Sequence, residues 1–185
     1  MELIRLRYFS TFIFAGFWFF EQKFAAMEEA PKNIGVEAAG RKIRQYCAYQ
    51  ERCHREVRDK LYSFGLYTPE VETLLSALIE EQFLNEERFA IAFAGGKFRM
   101  RQWGKVKIAR ELKTKGVSAY CIKKALRTLD ESAYLATLQM LAEKKWATLS
   151  GHKAIRQQKV VRYLLQKGYE YERMVPVLKN LTENT

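Results

Sequence analysis

Apolar and polar residues follow one another along this chain with the period of an α-helix. Before Gly116, the apolar residues Ile108 and Leu112 lie four positions apart, and Ile122 and Leu126 repeat that spacing after it. Residues four apart share one face of a helix, so the pattern predicts an amphipathic helix on each side of the glycine. Because glycine adopts the left-handed conformation that ends many helices, Gly116 is predicted to close the first of them.

The same pattern occurs three times, around Gly65, Gly116 and Gly168, which are 51 and 52 residues apart. Apolar residues recur 8 and 4 positions before each glycine and 1, 6, 10 and 13 positions after it. They are predicted to form the core: Val57, Leu61, Leu66, Val71, Leu75 and Leu78; Ile108, Leu112, Val117, Ile122, Leu126 and Leu129; Val160, Leu164, Tyr169, Met174, Leu178 and Leu181. A repeat of this length indicates an array of similar units.

A further helical segment precedes each pair of helices, at residues 37–49, 86–100 and 132–148. The sequence therefore predicts an all-α fold, an elongated tandem array of three three-helix repeats in which each unit contacts its neighbours. The predicted limits are an N-terminal extension and linker at 1–36 and repeats at 37–82, 83–130 and 131–185.

Single residues predict where some of these helices begin and end. Thr68, which precedes Pro69, and Ser118 are candidate N-caps, since a hydroxyl at that position accepts a hydrogen bond from a free amide. Pro176 lies within the last predicted helix and is expected to kink or shorten it, because proline cannot donate the helical hydrogen bond.

The N-terminus does not fit the repeat. Residues 8–20 form an apolar run behind Arg5 and Arg7, which resembles the first part of a signal peptide but lacks a clear cleavage site after it. The run is short for a membrane-spanning helix. A second methionine, Met27, precedes a polar segment typical of a protein start. An over-extended start site is the favoured interpretation, and an interfacial anchor, a signal or a hydrophobic arm are the alternatives.

Positive charge is concentrated in the middle of the chain. The whole chain carries a net charge of +11. Residues 27–82 have 8 basic and 10 acidic side chains, residues 83–130 have 12 and 4, and residues 131–185 have 9 and 5. Such a balance indicates an acidic partner, either nucleic acid, an anionic membrane or an acidic protein groove.

The basic side chains of the middle repeat are the candidate binding residues. With Ile108 and Leu112 facing the core, Lys105, Lys107, Arg110 and Lys113 are expected to face water. Like charges on one helix repel, so a run with few acids indicates an anionic partner more than an idle solvated face. The full candidate set is Arg88, Lys97, Arg99, Arg101, Lys105, Lys107, Arg110 and Lys113.

Cysteine and histidine give no pattern of catalysis or metal binding. The three cysteines, Cys47, Cys53 and Cys121, are too few and too scattered for a disulfide framework and favour the reducing cytoplasm. Their spacing from His54 and His152 matches no zinc motif. No phosphate-binding loop and no nucleophile beside a base is evident. We therefore predict a protein that is not an enzyme and that has no cofactor, metal or small-molecule substrate.

The middle repeat contains Arg88-Phe89-Ala90 at a helix start, a basic stretch, and then Ile108-x-x-Glu111-Leu112-x-x-Lys115-Gly116-Val117. This pattern resembles the central motif of the RecX family of RecA regulators. The first repeat also fits, although Cys53 stands where the family usually has serine. The resemblance covers about residues 37–182 and is weakest in the third repeat. Residues 1–26 have no counterpart.

The resemblance implies a cytoplasmic, monomeric regulator, mainly an inhibitor, of the RecA recombinase. Such a protein lies in the groove of the filament that RecA forms on single-stranded DNA and limits its growth or promotes its disassembly. DNA repair, recombination and the SOS response would be modulated, and single-stranded DNA is a candidate direct contact. The alternative is a non-specific single-stranded nucleic-acid-binding helical protein, with bases stacking on Phe98, Trp103 or Tyr120. Core packing is the favoured role of Phe89, Phe93 and Trp103.

Overall fold

The structure, a computed structural model, describes residues 32–183, which form nine α-helices and no β-strand. In chain order the helices are α1 Val36–Tyr49, α2 His54–Tyr62, α3 Thr68–Glu80, α4 Glu86–Arg101, α5 Lys105–Thr114, α6 Ala119–Arg127, α7 Glu131–Ala147, α8 Lys153–Lys167 and α9 Tyr171–Glu183. The predicted all-α fold is confirmed. The predicted apolar run at residues 8–20 lies outside the described residues.

The helices pack in threes, as a tandem helical array. Contacts between helices are made mainly within α1–α3, within α4–α6 and within α7–α9, which we call the first, second and third units. The predicted limits at 82/83 and 130/131 fall in the connections between these groups of helices, and as domain boundaries they remain predictions.

The repeated glycines end the middle helix of each unit. Gly65, Gly116 and Gly168 have φ angles of +77°, +81° and +89°, which confirms their predicted left-handed conformation. After α5, the amide of Val117 returns to the carbonyl of Leu112 at 3.1 Å, and after α8 the amide of Tyr169 returns to Leu164 at 3.2 Å. These bonds satisfy carbonyls that the helix end would leave free.

The repeated apolar positions form the core, as predicted. Fifteen of the eighteen are buried, and Ile122, Leu126 and Leu181 are half-buried against the same core. The buried residues of the first unit form one cluster. Those of the second and third units form a single continuous cluster, which Cys53 of the first unit also joins.

Of three predictions about helix ends, one is confirmed, one is wrong and one is contradicted only in part. Ser118 is the N-cap of α6, with its hydroxyl 3.3 Å from the amide of Cys121. Thr68 is already the first residue of α3, because the carboxylate of Glu70 accepts a hydrogen bond from the amide of Tyr67 at 2.8 Å and starts the helix one residue earlier. Pro176 lies inside α9 and does not shorten it, since the helix continues to Glu183; the expected kink stays a prediction.

The second and third units meet through their backbones at what we call the second joint. The amide of Gly104 donates to the carbonyl of Lys167 at 2.9 Å, and that of Val106 donates to Gly168 at 3.0 Å. The amide of Lys105 donates to the hydroxyl of Tyr134 at 2.9 Å. Three amides at the start of α5 are thus satisfied by the third unit, two of them by carbonyls at the end of α8. The opposed helix-end dipoles attract each other.

The first and second units meet mainly through ion pairs at what we call the first joint. Arg88 lies 2.5 Å from Glu51, and Lys115 lies 2.6 Å from Glu56. Arg55 donates to the carbonyl of Thr114 at 3.2 Å. The acids of both pairs belong to the first unit, so the joint neutralises part of the second unit's positive charge.

Within residues 32–183, no helix is long and apolar enough to cross a membrane. Cys47, Cys53 and Cys121 are free and buried. Burial raises the pKa of the Cys47 and Cys53 thiols. No group of three or more histidine, cysteine or acidic side chains in this part of the chain is arranged to hold a metal ion.

Candidate anion-binding surface

The turn between α4 and α5 brings basic side chains from two helices together. Helix α4 ends at Gln102, which has a left-handed conformation with φ +53°. Trp103 follows, and Gly104 is the N-cap of α5. Trp103 therefore lies in the short connection between the end of α4 and the start of α5.

Lysines from both helices lie over the indole of Trp103. The Nζ atoms of Lys97 and Lys107 are 5.3 and 4.5 Å from its ring centre. The third unit adds Lys167, whose Nζ donates to the carbonyl of Arg101 at 3.2 Å. We call these residues, Lys97, Arg101, Trp103, Lys107 and Lys167, the Trp103 cluster. The ring attracts Lys97 and Lys107 through its negative face. The hydrogen bond to the carbonyl of Arg101 adds Lys167, so like charges from two units lie close together.

Three other candidates are exposed and carry uncompensated charge. Arg99, on α4, and Arg110 and Lys113, on α5, are exposed. None of the three has an acidic partner among the described residues. Arg110 and Lys113 lie on the same face of α5 as Val106, which is 52% exposed. The prediction that Arg110 and Lys113 face water is confirmed, and this face is open to a partner.

Lys105 does not face water, so that prediction is wrong. Its side chain is only 18% exposed and its Nζ lies 2.8 Å from Glu131. Burial, helped by the nearby charge of Arg173, lowers the pKa of Lys105. The physical reason is the second joint, which buries the start of α5 against the third unit. Lys107 is half-buried for the same reason, with its Nζ 3.5 Å from the carbonyl of Gln166.

Arg88 is also engaged within the protein. Its guanidinium pairs with Glu51 at 2.5 Å and donates to the carbonyl of Gln82 at 2.9 Å. Its contacts are those of a residue that holds the first joint. A binding role for Arg88 and Lys105 stays a prediction, and it would require breaking these contacts.

The third unit extends the basic surface beyond the set predicted from the sequence. Helix α8 contains no acidic residue, and Lys153, Lys159 and Arg162 on it are exposed. The signal was readable in the sequence: no acid occurs from Lys144 to Tyr169, a stretch with seven basic residues. The sequence argument missed it because it compared the charge of whole repeats. Acids elsewhere in the third repeat mask the run on α8.

The first unit has the opposite electrostatic character. Arg41, Arg44 and Arg58 each pair with an acid of the same unit, at 2.6, 2.6 and 3.1 Å. Its cations are therefore largely compensated by neighbours, whereas those of α4, α5 and α8 are largely not. A field that attracts anions arises from the second and third units.

The aromatic residues of the second unit offer few free rings for base stacking. Phe89 and Phe98 are buried. Phe93 and Trp103 are half-buried against the core, and lysine ammonium groups lie over both rings. Tyr120 is the exception, because it is 70% exposed and the Nζ of Lys124 lies 6.0 Å from its ring. The favoured role of Phe89, Phe93 and Trp103 as packing residues agrees with these positions.

The chain is similar to proteins of the RecX family. The family models for the second and third three-helix domains of RecX match residues 85–126 and 132–173. The chain is 32% identical over 136 residues to the regulatory protein RecX of Clostridium perfringens, covering 72% of this chain and 63% of the relative. It is 34% identical over 125 residues to that of Halalkalibacterium halodurans, covering 67% and 47%. The chain thus spans less than two thirds of these relatives.

A solved structure shows the same fold. The crystal structure of RecX from Lactobacillus salivarius superposes with a TM-score of 0.70 at 23% identity. The match covers 79% of this chain and 96% of the solved one.

Proposed function

We propose that this chain, which belongs to the RecX family of regulatory proteins, regulates the RecA recombinase by binding in the groove of its filament on single-stranded DNA. The binding acts mainly as inhibition: it limits filament growth or promotes disassembly, and thereby modulates DNA repair, recombination and the SOS response. The protein acts as a cytoplasmic monomer, by binding and not by catalysis, and single-stranded DNA is a candidate direct contact.

The observation that carries the proposal is the uncompensated charge on the second and third units of a chain in this family. Arg99, Arg110 and Lys113 are exposed without acidic partners in the described part of the chain. The groove of a nucleoprotein filament offers both phosphates and acidic side chains, and a surface of this kind is attracted to both. Lys153, Lys159 and Arg162 on α8 extend the same attraction along the array.

The test is a charge reversal on this surface. Replacing Arg99, Arg110 and Lys113 with glutamate should abolish inhibition of the ATP hydrolysis that RecA performs on single-stranded DNA. Melting should change little, because exposed substitutions outside special contacts cost little. The matched control replaces Lys32, Lys42 and Lys60, which are exposed on the first unit, with glutamate. That control makes the same change in net charge and should inhibit like the wild type.

A second candidate function is non-specific binding of single-stranded nucleic acid, and the exposed ring of Tyr120 beside Lys124 favours it. The wild-type protein should bind RecA-coated DNA more tightly than bare DNA of the same length, with both affinities falling as salt rises. Equal affinity for the two, together with no effect on ATP hydrolysis, would replace the recombinase regulator with this plainer binder.

A further inference from the structure

A cleft between the first and second units has no role in the packing described so far. Its volume is about 590 Å³. One face of α4 forms the floor, with Ala92, Phe93, Gly96 and Met100 in line, and Glu51 of the first unit lies along the opposite wall. Met100 is 83% exposed. The cleft therefore presents small and apolar side chains to the solvent. The side chain of Met100 is long, unbranched and flexible, and it can adapt its shape to a partner.

Gly96 in the floor of this cleft is not explained by contacts within the protein. It lies inside α4, where glycine destabilises the helix relative to alanine. A Cβ atom at Gly96 would meet nothing within 4 Å, whereas one at the neighbouring Gly95 would lie 3.0 Å from the guanidinium of Arg99. The space above Gly96 lets another backbone approach α4 closely.

The charge left over around the cleft is positive. Glu51 is neutralised by Arg88, and Glu56 by Lys115. Lys97 and Arg101, at the rim, have no acidic partner among the residues that the structure describes. An occupant that pairs with these two cations must be acidic.

The aromatic ring in the cleft favours a protein over a nucleic acid. The Nζ atoms of Lys97 and Lys115 lie 5.1 and 5.7 Å from the centre of the Phe93 ring. A ring attended by two ammonium groups is not free to stack on a base. Ala92 and Gly96 lie one helical turn apart, and small residues at that spacing let two helices pack at the short end of the usual 8–10 Å between helix axes.

We propose that this cleft docks an acidic α-helix of the protein partner, which packs against Ala92 and Gly96 and places its carboxylates beside Lys97 and Arg101. The inference rests on the proposed function, in that the partner is RecA in its filament. In this arrangement the cleft at the first joint contacts the RecA protein. The exposed face of α5 with Arg110 and Lys113 remains available to the phosphates of the DNA.

The experiment fills the cleft with a side chain. Gly96→Leu and, separately, Ala92→Leu should weaken binding to RecA-coated poly(dT) by about tenfold or more, the loss expected at the centre of an interface. Leucine is a better helix former than glycine, so the Gly96→Leu protein should melt no lower than the wild type. Ala136→Leu, at an exposed position of α7, is the control outside the cleft.

The outcomes separate this inference from the function on which it rests. Weaker binding to coated DNA with unchanged binding to bare poly(dT), measured by fluorescence anisotropy, supports the docking site. If Gly96→Leu and Ala92→Leu bind coated DNA like the wild type, the docking site is wrong and the regulator remains. Equal losses on coated and bare DNA would make the cleft a nucleic-acid site. A wild-type protein that does not prefer coated DNA would overturn the proposed function itself.

Discussion

At the second joint, the start of α5 donates backbone hydrogen bonds to the end of α8, and one core runs through both units. At the first joint, two ion pairs and one side-chain hydrogen bond span the boundary, Cys53 is the one buried first-unit residue that joins the neighbouring core, and a cleft of about 590 Å³ lies beside them. Units built on the same repeat are thus joined in two different ways.

Because the two joints are held by different contacts, we expect them to differ in rigidity. Backbone contacts in a close-packed interface leave little freedom, so the Trp103 cluster, which draws residues from both units, has a fixed shape. Partly exposed ion pairs contribute roughly 0–1 kcal/mol each and are screened by salt. The cleft at the first joint can therefore adjust its width to an occupant, whereas the basic surface across the second joint cannot.

The largest effect is expected from Gly168→Ala. The residue has φ +89°, and an added Cβ would lie 2.3 Å from the Cβ of Lys107. Backbone strain and overpacking each cost roughly 1–3 kcal/mol, so the loss in free energy of unfolding should be about 4 kcal/mol. Urea denaturation measures it. A loss below about 1 kcal/mol would mean that the second joint is loose, and the contrast between the joints would disappear.

Gly104→Ala tests the close contact between Gly104 and Gly168 without the strain of a left-handed backbone conformation. Gly104 has an ordinary φ of −76°, so alanine is not strained there. Its Cβ would nevertheless lie 2.2 Å from the carbonyl oxygen of Gly168. We expect a loss of about 3 kcal/mol from the forced separation of the two backbones. The double variant Gly104→Ala/Gly168→Ala should lose less than the sum of the single losses, because both break the same contact.

Gly116→Ala tests the strain of the left-handed conformation alone, without a close contact to another part of the chain. Gly116 has φ +81°, but an added Cβ would meet nothing within 4 Å. The loss should be about 1–2 kcal/mol, the cost of the left-handed conformation for a residue with a Cβ. Unchanged stability in the same urea titration would contradict the role of Gly116 as the end of α5.

These three glycines show which parts of the fold a sequence can reveal. Gly116 and Gly168 were predicted as helix ends because that role depends on the few residues around each. The role of Gly104 was not predicted, because its conformation is ordinary and its contact lies 64 positions along the chain. The core residues were also predicted from local sequence, because the helical period of the apolar residues shows which face of each helix is buried.

The candidate binding residues divide in the same way, into those whose position follows from the local sequence and those whose position depends on a neighbouring unit. Arg110 and Lys113 were placed correctly because their exposure follows from the period of α5. Lys105 was not, because Glu131, which holds it, comes from the third unit; the pairing of Arg88 with Glu51 of the first unit likewise could not be read from the local sequence. Charge counts identify a basic region, and only the packing of the units decides which of its cations remain free.

Acid should weaken the ion pair between Glu56 and Lys115 at the first joint. Burial alone would raise the pKa of Glu56, but hydrogen bonds from Lys115 and the amide of Cys53 outweigh it, and the pKa lies below its usual value. A lowered pKa gives stability that is present above the unfolded value of about 4.3 and is lost as pH falls through the folded value. Glu56→Gln should cost at most about 1 kcal/mol at pH 7 and less at pH 3.

The control for Glu56→Gln is Glu72→Gln, which removes a carboxylate that pairs with Arg58 inside the first unit. Thermal melting between about pH 5 and pH 3 compares the two, since carboxylates titrate in this range. Spin labels on either side of the first joint should also report wider separation in the Glu56→Gln protein and not in the control. The same separation in both variants would show that Glu56 does not hold the joint.

The smallest effect, and the most direct comparison of the joints, is expected from salt. Exposed positions Ser76, Lys123 and Ala136 lie on the first, second and third units. Cysteines introduced there would carry spin labels, while Cys47, Cys53 and Cys121 are buried and react slowly.

At 1 M salt the screening length falls to about 3 Å, so the ion pairs of the first joint weaken and the backbone contacts of the second do not. The Ser76–Lys123 distance distribution should therefore broaden with salt, and the Lys123–Ala136 distribution should not. Equal broadening would show that the second joint also depends on charge, through Lys105, Glu131 and Arg173, and that the backbone contacts alone do not fix it.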